Sequence, residues 1–309
     1  MRKFLRRVSF FVLPILIIFV VGEMLIRNIP NDYETKKNYL EKNAASISVL
    51  CLGSSHAYYD INPAFFRESC YNAAYVSQTI EYDYKIYQKY NKQLISLQWI
   101  ILPISYFTLF SEMKNSTESW RIKDYSIYSD LNGTGSRFVH YEMLSYSLSI
   151  NLKRISDYYF HKSNNNITCS DLGFGIDHAL EKNRNLDSTG YVSALRHTKS
   201  MNEDYLESNE ETVENLIGLA RKNGVRIVIY TPPAWHSYTN NIDKRLLKIT
   251  IDSVDNLCRK YSNVSYQNYL TDNTFQEDDF LDADHLNGKG ARKLSNRLDS
   301  LIHILKTKD

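Results

Sequence analysis

Two short stretches, far apart in the chain, carry residue types that can do covalent chemistry. The first is Val49-Leu50-Cys51-Leu52-Gly53-Ser54-Ser55-His56. An apolar run ends in a glycine and two serines, so a hydroxyl would stand in the turn after a buried strand, next to backbone N–H groups. A serine held there serves as a nucleophile once a base is brought to it. The plainer reading is that Ser54 and Ser55 only cap the turn or helix that follows. His56 is no base for Ser55, because adjacent side chains project in different directions. The second stretch is Phe280-Leu281-Asp282-Ala283-Asp284-His285-Leu286-Asn287, with Gly288 and Gly290 close behind. An Asp three residues before a His, in a loop leading into a helix, can aim both side chains at one pocket. His285 would then accept a serine proton, while Asp282 holds the other ring nitrogen and stabilises the cation. The acidic segment 277–284 also admits a solvated turn or a weak cation site. Its Asp, Asn and His spacing gives no recognisable metal loop, so no metal and no organic cofactor is expected.

These residues need elements to position them. Apolar, β-branched runs at 47–52, 71–74, 97–104, 225–230 and 264–266 read as strands. Helical patterns occupy 80–94, 210–223, 244–261 and 289–305. The second of these helices has a polar logic of its own: Glu210, Glu211 and Glu214 open helix 210–223, Arg221 and Lys222 close it, and Gly224 stops it. Strands alternating with helices predict an α/β protein with a parallel sheet covered on both faces. Ligands of such sheets sit at the C-terminal ends of the strands. The turn after 47–52 therefore matters, as does Thr231-Pro232-Pro233-Ala234-Trp235-His236, whose rigid turn would send Trp235 and His236 to the same rim. His236 is there either a substrate contact or an ordinary loop histidine. Residues 107–207 interrupt the rhythm and read as a long insertion, helical over about 141–159, of the kind that forms a lid or substrate wall.

The amino terminus sets the compartment. Arg2, Lys3, Arg6 and Arg7 precede an apolar run from Val8 that resumes past Gly22 and Glu23 to Ile26, and Arg27 alone follows. The run is long enough for a hydrocarbon core of ~30 Å, and the basic flank places the N-terminus in the cytoplasm. No A-x-A-like cleavage site follows, so an uncleaved anchor is expected rather than a signal peptide. The organisation is then tail and anchor 1–27, spacer 28–45, and a domain 46–309, single-pass in the cytoplasmic membrane with the domain periplasmic or extracellular. Lys+Arg 37 against Asp+Glu 35 leaves a net charge of +2, with no basic stripe to suggest nucleic acid. Cys51, Cys70, Cys169 and Cys258 show no C-x-x-C spacing, and the first two lie in apolar runs as small core residues. Tyr58, Tyr59, Tyr75, Tyr82, Tyr84, Tyr87 and Tyr106 either stack on sugar rings or pack helices and strand ends.

A strand ending in G-x-S near the start, with D-x-x-H before the last helix, resembles the SGNH (GDSL-type) hydrolases over about residues 46–305, the insertion left out. The resemblance implies a three-layer, flavodoxin-like α/β domain. It implies Ser55 as nucleophile, with Ser54 in place of the usual Asp, and Asp282 and His285 as the rest of a triad. It implies an oxyanion hole that includes the Ser55 N–H. The family's second block, N-x-G-x-x-G, is here Asn72-Ala73-Ala74-Tyr75-Val76-Ser77, so Ala74 would donate its N–H. The third block, G-x-N-D, is replaced by Pro103-Ile104-Ser105-Tyr106, leaving Ser105 as the substitute donor. Gln78, just past the second block, would line the pocket with His236. The wording of both triad stretches looks most like membrane-anchored members that handle acyl groups on cell-surface polymers. An esterase or O-acyl(acetyl)transferase for an acylated glycan or other surface polymer is implied, with a polysaccharide-export or acyl-donor membrane protein as partner. The alternative is a weak or inactive module of the same fold that binds surface polysaccharide or scaffolds its export.

Overall fold

The computed structural model describes residues 1–131, 140–145, 147–162, 166–177 and 185–307. Parts of the expected insertion, 132–139 and 178–184 among them, lie outside the described residues. The chain divides into two compact units, residues 1–37 with 117–168, and residues 38–116 with 169–309.

The larger unit is built on five parallel strands, β1 (Val49–Cys51), β2 (Cys70–Asn72), β3 (Trp99–Pro103), β4 (Arg226–Thr231) and β5 (Val264–Asn268), in the order β2-β1-β3-β4-β5. This is a doubly wound order that reverses direction at β1, so a crevice opens between the C-terminal ends of β1 and β3. The strand residues alternate in direction. Val49, Cys51, Trp99, Ile101, Val228 and Tyr230 share one core with Leu294, Leu298 and Ile302. The alternate set, Leu50, Ile100, Leu102, Ile227 and Ile229, faces the other way, and each residue is at most 1% exposed. Burial on both faces explains why β1, β3 and most of β4 read as apolar runs. Each such aliphatic side chain contributes ~1.5–3 kcal/mol.

The covering helices are α4 (Ile80–Tyr90), α9 (Leu206–Lys222), α11 (Lys244–Lys260) and α12 (Gly288–Lys306). α9 packs on β4 and α4. It ends where Gly224 takes a left-handed φ of +71°, as the sequence requires. α12 begins at Asn287, whose side chain accepts the N–H groups of Lys289 and Gly290. Two features had no clear sequence signal. One is α8 (Leu186–Ser200), inside the expected insertion. The other is an antiparallel pair, β6 (Phe280–Asp282) and β7 (His285–Leu286), in the stretch read as a loop.

The smaller unit starts with α1 (Arg2–Arg27), a helix long and apolar enough to cross a membrane. Of α2 (Asp32–Asn43), which occupies most of the expected spacer, the residues to Lys37 belong to this unit. The rest of the unit is α5 (Ile122–Ile127), α6 (Glu142–Ser145) and α7 (Leu148–Tyr159). Glu142 is fully buried and is held by Lys123, Arg154 and the Tyr128 hydroxyl at 2.6 Å. Glu23 sits at the start of α6, accepting the N–H groups of Glu142 and Met143 at 3.1 and 2.9 Å.

Candidate active site

The nucleophile turn is shaped by a glycine and a buried carboxyl. Gly53 has φ +120°, and a Cβ there would lie 2.3 Å from Pro103 Cγ, so no other residue fits. Its N–H donates to Asp83 Oδ1 at 2.6 Å, and Gln78 Nε2 donates to the same oxygen at 2.6 Å. Burial pushes the Asp83 carboxyl up to about 7, against the downward pull of the Gln78 and Gly53 hydrogen bonds. Immediately after this turn, Ser55 opens the short helix α3 (Ser55–Tyr58). The first N–H groups of a helix have no acceptor within it, so the Ser55 N–H adjoins its own hydroxyl as a donor.

The histidine loop is a tight hairpin. Asp282 on β6 and His285 on β7 are directly paired across a turn of only Ala283 and Asp284. Cross-strand partners project to the same face, and this is why an i, i+3 spacing brings the two side chains together. His285 Nδ1 lies 3.0 Å from Asp282 Oδ1, which also accepts the backbone N–H groups of His285 and Asp284 at 2.9 and 3.1 Å. With Nδ1–H donating to the carboxylate, Nε2 carries the lone pair, and it lies 2.9 Å from Ser55 Oγ. The hairpin is tied down at both ends. Leu286 N–H donates to the buried Asp60, and Trp235 N–H to the Ala283 carbonyl.

A second carboxylate stands behind the first. Asp284 is 1% exposed, and among the described residues neither of its oxygens has a hydrogen-bond partner. Its Oδ2 is faced by His56 Nε2 at 3.8 Å, His197 Nε2 at 3.9 Å, His285 Nδ1 at 3.9 Å and Arg196 at 4.0 Å. These separations are in ion-pair range and too long for hydrogen bonds. The far nitrogens of two of the rings are anchored: His56 Nδ1 lies 2.7 Å from Ser105 Oγ, and His197 Nδ1 lies 2.8 Å from the Tyr238 hydroxyl. Burial lowers His56 and pushes His197 down to about 3, so both stay neutral. Burial also opposes charge on Asp284, but the facing imidazoles, His285 first, hold it below the usual carboxylate range. For His285, burial is outweighed by the charges of Asp284 and Asp282, which carry it up to about 10.

The other expected site residues fall differently. The Ala74 N–H is engaged by the Asn72 side chain at 3.0 Å. The Ser105 hydroxyl is turned to His56 rather than toward Ser55. Gln78 is buried beneath the nucleophile turn, where it braces Asp83. His236 is exposed at the start of a short helix, α10 (His236–Thr239), and its ring lies tilted against Trp235, with ring centroids 4.5 Å apart. Tyr58, Tyr59, Tyr75, Tyr82, Tyr87 and Tyr106 are all buried, so they pack, and only Tyr84 is half-exposed. Cys51 and Cys70 are buried thiols 3.6 Å apart. His197, Arg196 and the role of Asp284 escaped the sequence reading.

His56, Asp284 and His285 offer three metal-ligating atoms within 4.8 Å of one another. Both ring nitrogens of His285 are already engaged, Nδ1 with Asp282 and Nε2 with Ser55. A cation there and the hydrogen-bonded line from Asp282 to Ser55 are therefore alternatives. No protein-family model matches the chain, and no curated protein matches it.

Proposed function

We propose that the chain is a membrane-anchored serine esterase or O-acyl(acetyl)transferase of SGNH type, acting on acyl esters of cell-envelope or extracellular glycans. The observation that carries this reading is the line Ser55 Oγ, His285 Nε2, His285 Nδ1, Asp282 Oδ1, with links of 2.9 and 3.0 Å. Its place at the C-terminal end of β1, where the sheet order reverses, supports it further. In this mechanism Ser55 Oγ attacks the ester carbonyl as its proton moves to His285 Nε2. Asp282 holds Nδ1–H and stabilises the imidazolium. The Ser55 N–H faces the developing oxyanion. The leaving alcohol takes the proton from Nε2, and an acyl-serine remains. Water or a glycan hydroxyl then reverses the sequence, giving hydrolysis or transfer. In the same proposal α1 spans the membrane with Arg2–Arg7 inside, and the sheet unit works outside.

A second reading has its own observation. The Ala74 N–H and the Ser105 hydroxyl are both already engaged, and loss of one oxyanion donor costs ~10²–10³ in rate. That favours a slow enzyme or a glycan-binding module. The deciding experiment treats the full chain in detergent with a fluorophosphonate probe and an activated acetyl ester. The catalytic reading expects labelling that disappears in both Ser55→Ala and His285→Ala. Labelling that persists in Ser55→Ala sinks the nucleophile assignment, and a wild-type chain that neither labels nor turns over favours the binding module.

A further inference from the structure

Among the described residues, an apolar helix face of the smaller unit is left uncovered. On α7, Leu148, Leu152, Ile155 and Tyr159 recur at i, i+4, i+7 and i+11, the spacing of a single stripe. Leu148 and Leu152 are 58% and 56% exposed, and the flanking Leu144 and Phe160 are 49% and 77% exposed. Lys153 and Asp157 lie away from this stripe. Such a row in water is a liability unless something covers it.

The position of the stripe along α1 says what covers it. Residues 1–18 are exposed, and the burial of α1 is confined to Gly22, Glu23 and Ile26. There α6 and α7 are held closely. Met143 Sδ lies where a Gly22 side chain would begin, Glu23 caps α6, Arg27 donates to the His140 carbonyl at 2.6 Å, and the Tyr159 hydroxyl donates to the Leu25 carbonyl at 3.0 Å. From Val8 to Ile26 at ~1.5 Å per residue is about 28 Å, close to the ~30 Å hydrocarbon thickness. The far lipid–water boundary therefore falls at the level of Gly22–Arg27, where α6 and α7 are bonded. Tyr141 and Tyr159, beside Phe19 and Leu25, are residues suited to that boundary.

We propose that α6–α7 rests on the lipid interface, with Leu144, Leu148 and Leu152 against acyl chains and Lys153 toward headgroups and water. The chain would then hold the bilayer by a spanning helix and an interfacial one, fixing the tilt of the smaller unit. This inference rests on α1 spanning the membrane. The test uses the full chain carrying Cys258→Ser, since Cys51, Cys70 and Cys169 are buried. Spin labels go singly on Leu16→Cys, Leu148→Cys, Leu152→Cys and Lys153→Cys, in vesicles of equal parts phosphatidylcholine and phosphatidylglycerol. Collisions with oxygen and with a water-soluble nickel chelate are compared. Labels at 148 and 152 should show an oxygen-to-chelate ratio several-fold above that at 153 and approaching that at 16. If 16 is in lipid while 148 and 152 match 153, the interfacial helix is refuted and the anchor survives. If 16 also reads as aqueous, the anchor reading fails and this one with it. Protection of 148 and 152 from both agents, with dipolar broadening, assigns the face to a second copy and overturns the lipid proposal.

Discussion

The two halves of the candidate site hold their side chains by opposite means. The nucleophile turn is fixed by hydrogen bonds to a carboxyl that burial makes reluctant to ionise, Asp83, which takes two donors on one oxygen. The histidine loop is fixed by charge. Asp282 accepts three N–H groups, while Asp284 stays ionised with no hydrogen bond among the described residues and acts on His285 through its field. In the proposed mechanism the turn must hold an atom in place, and a support bonded to two donors does that. The loop would support a group that gains and loses a proton, and there nearby charge sets when it does.

The largest effect expected on this contrast comes from Asp282→Asn. The side chain keeps its size but no longer enforces the tautomer that leaves Nε2 basic. The equivalent change in serine-protease triads costs about 10⁴ in kcat, and a loss of that order is expected in acetyl-ester turnover. A loss below ten-fold would assign the orienting role to Asp284 and reverse the two carboxylates.

Asp284→Asn should act on pH rather than on the ceiling of the rate. Nε2 must be unprotonated to accept the Ser55 proton, and His285 is carried up to about 10. The wild-type rate should therefore climb as pH rises toward that value. Removing the Asp284 charge lowers the imidazole pKa and moves the limb to lower pH. Neutral-pH turnover should rise roughly ten-fold or more, since one unit of pKa is a factor of ten in the unprotonated fraction. An unmoved limb would show that the field of Asp284 does not reach the base.

How far these arrangements were legible depends on what sets them. The strands 97–104 and 225–230 were visible because burial on both faces of 99–102 and 227–230 keeps polar residues to the strand starts, at Gln98 and Arg226. Gly53 was visible as a turn residue, and its φ of +120° against Pro103 gives the reason. The pairing of Asp282 with His285 was visible as a spacing, but not as a hairpin, because strands of three and two residues carry no periodicity. Ala74 could be read as a donor only while the Asn72 side chain, two residues back, was ignored. His197 had no local signal, since α8 presents Tyr191, Val192 and Leu195 to solvent and obscures its buried face.

The smallest effect is expected at the turn itself, from Asp83→Asn, and it tests whether the support there is truly indifferent to charge. Asparagine keeps Oδ1, so it can still accept from Gly53 N–H and Gln78. The Asp83 pKa is raised from its ordinary 3.8 to about 7, so ionisation is harder in the fold than in the unfolded chain. The sign follows: the contribution to stability is fully present below about 3.8 and is lost as pH rises through about 7. A shift of this size is worth roughly 4 kcal/mol. Asp83→Asn removes that penalty, so its melting temperature should exceed wild type by several degrees above pH 8. The gap should close below pH 5, with esterase activity little changed. A variant less stable than wild type at pH 8 would mean that the turn depends on the ionised carboxylate, and the contrast between the two halves of the site would vanish.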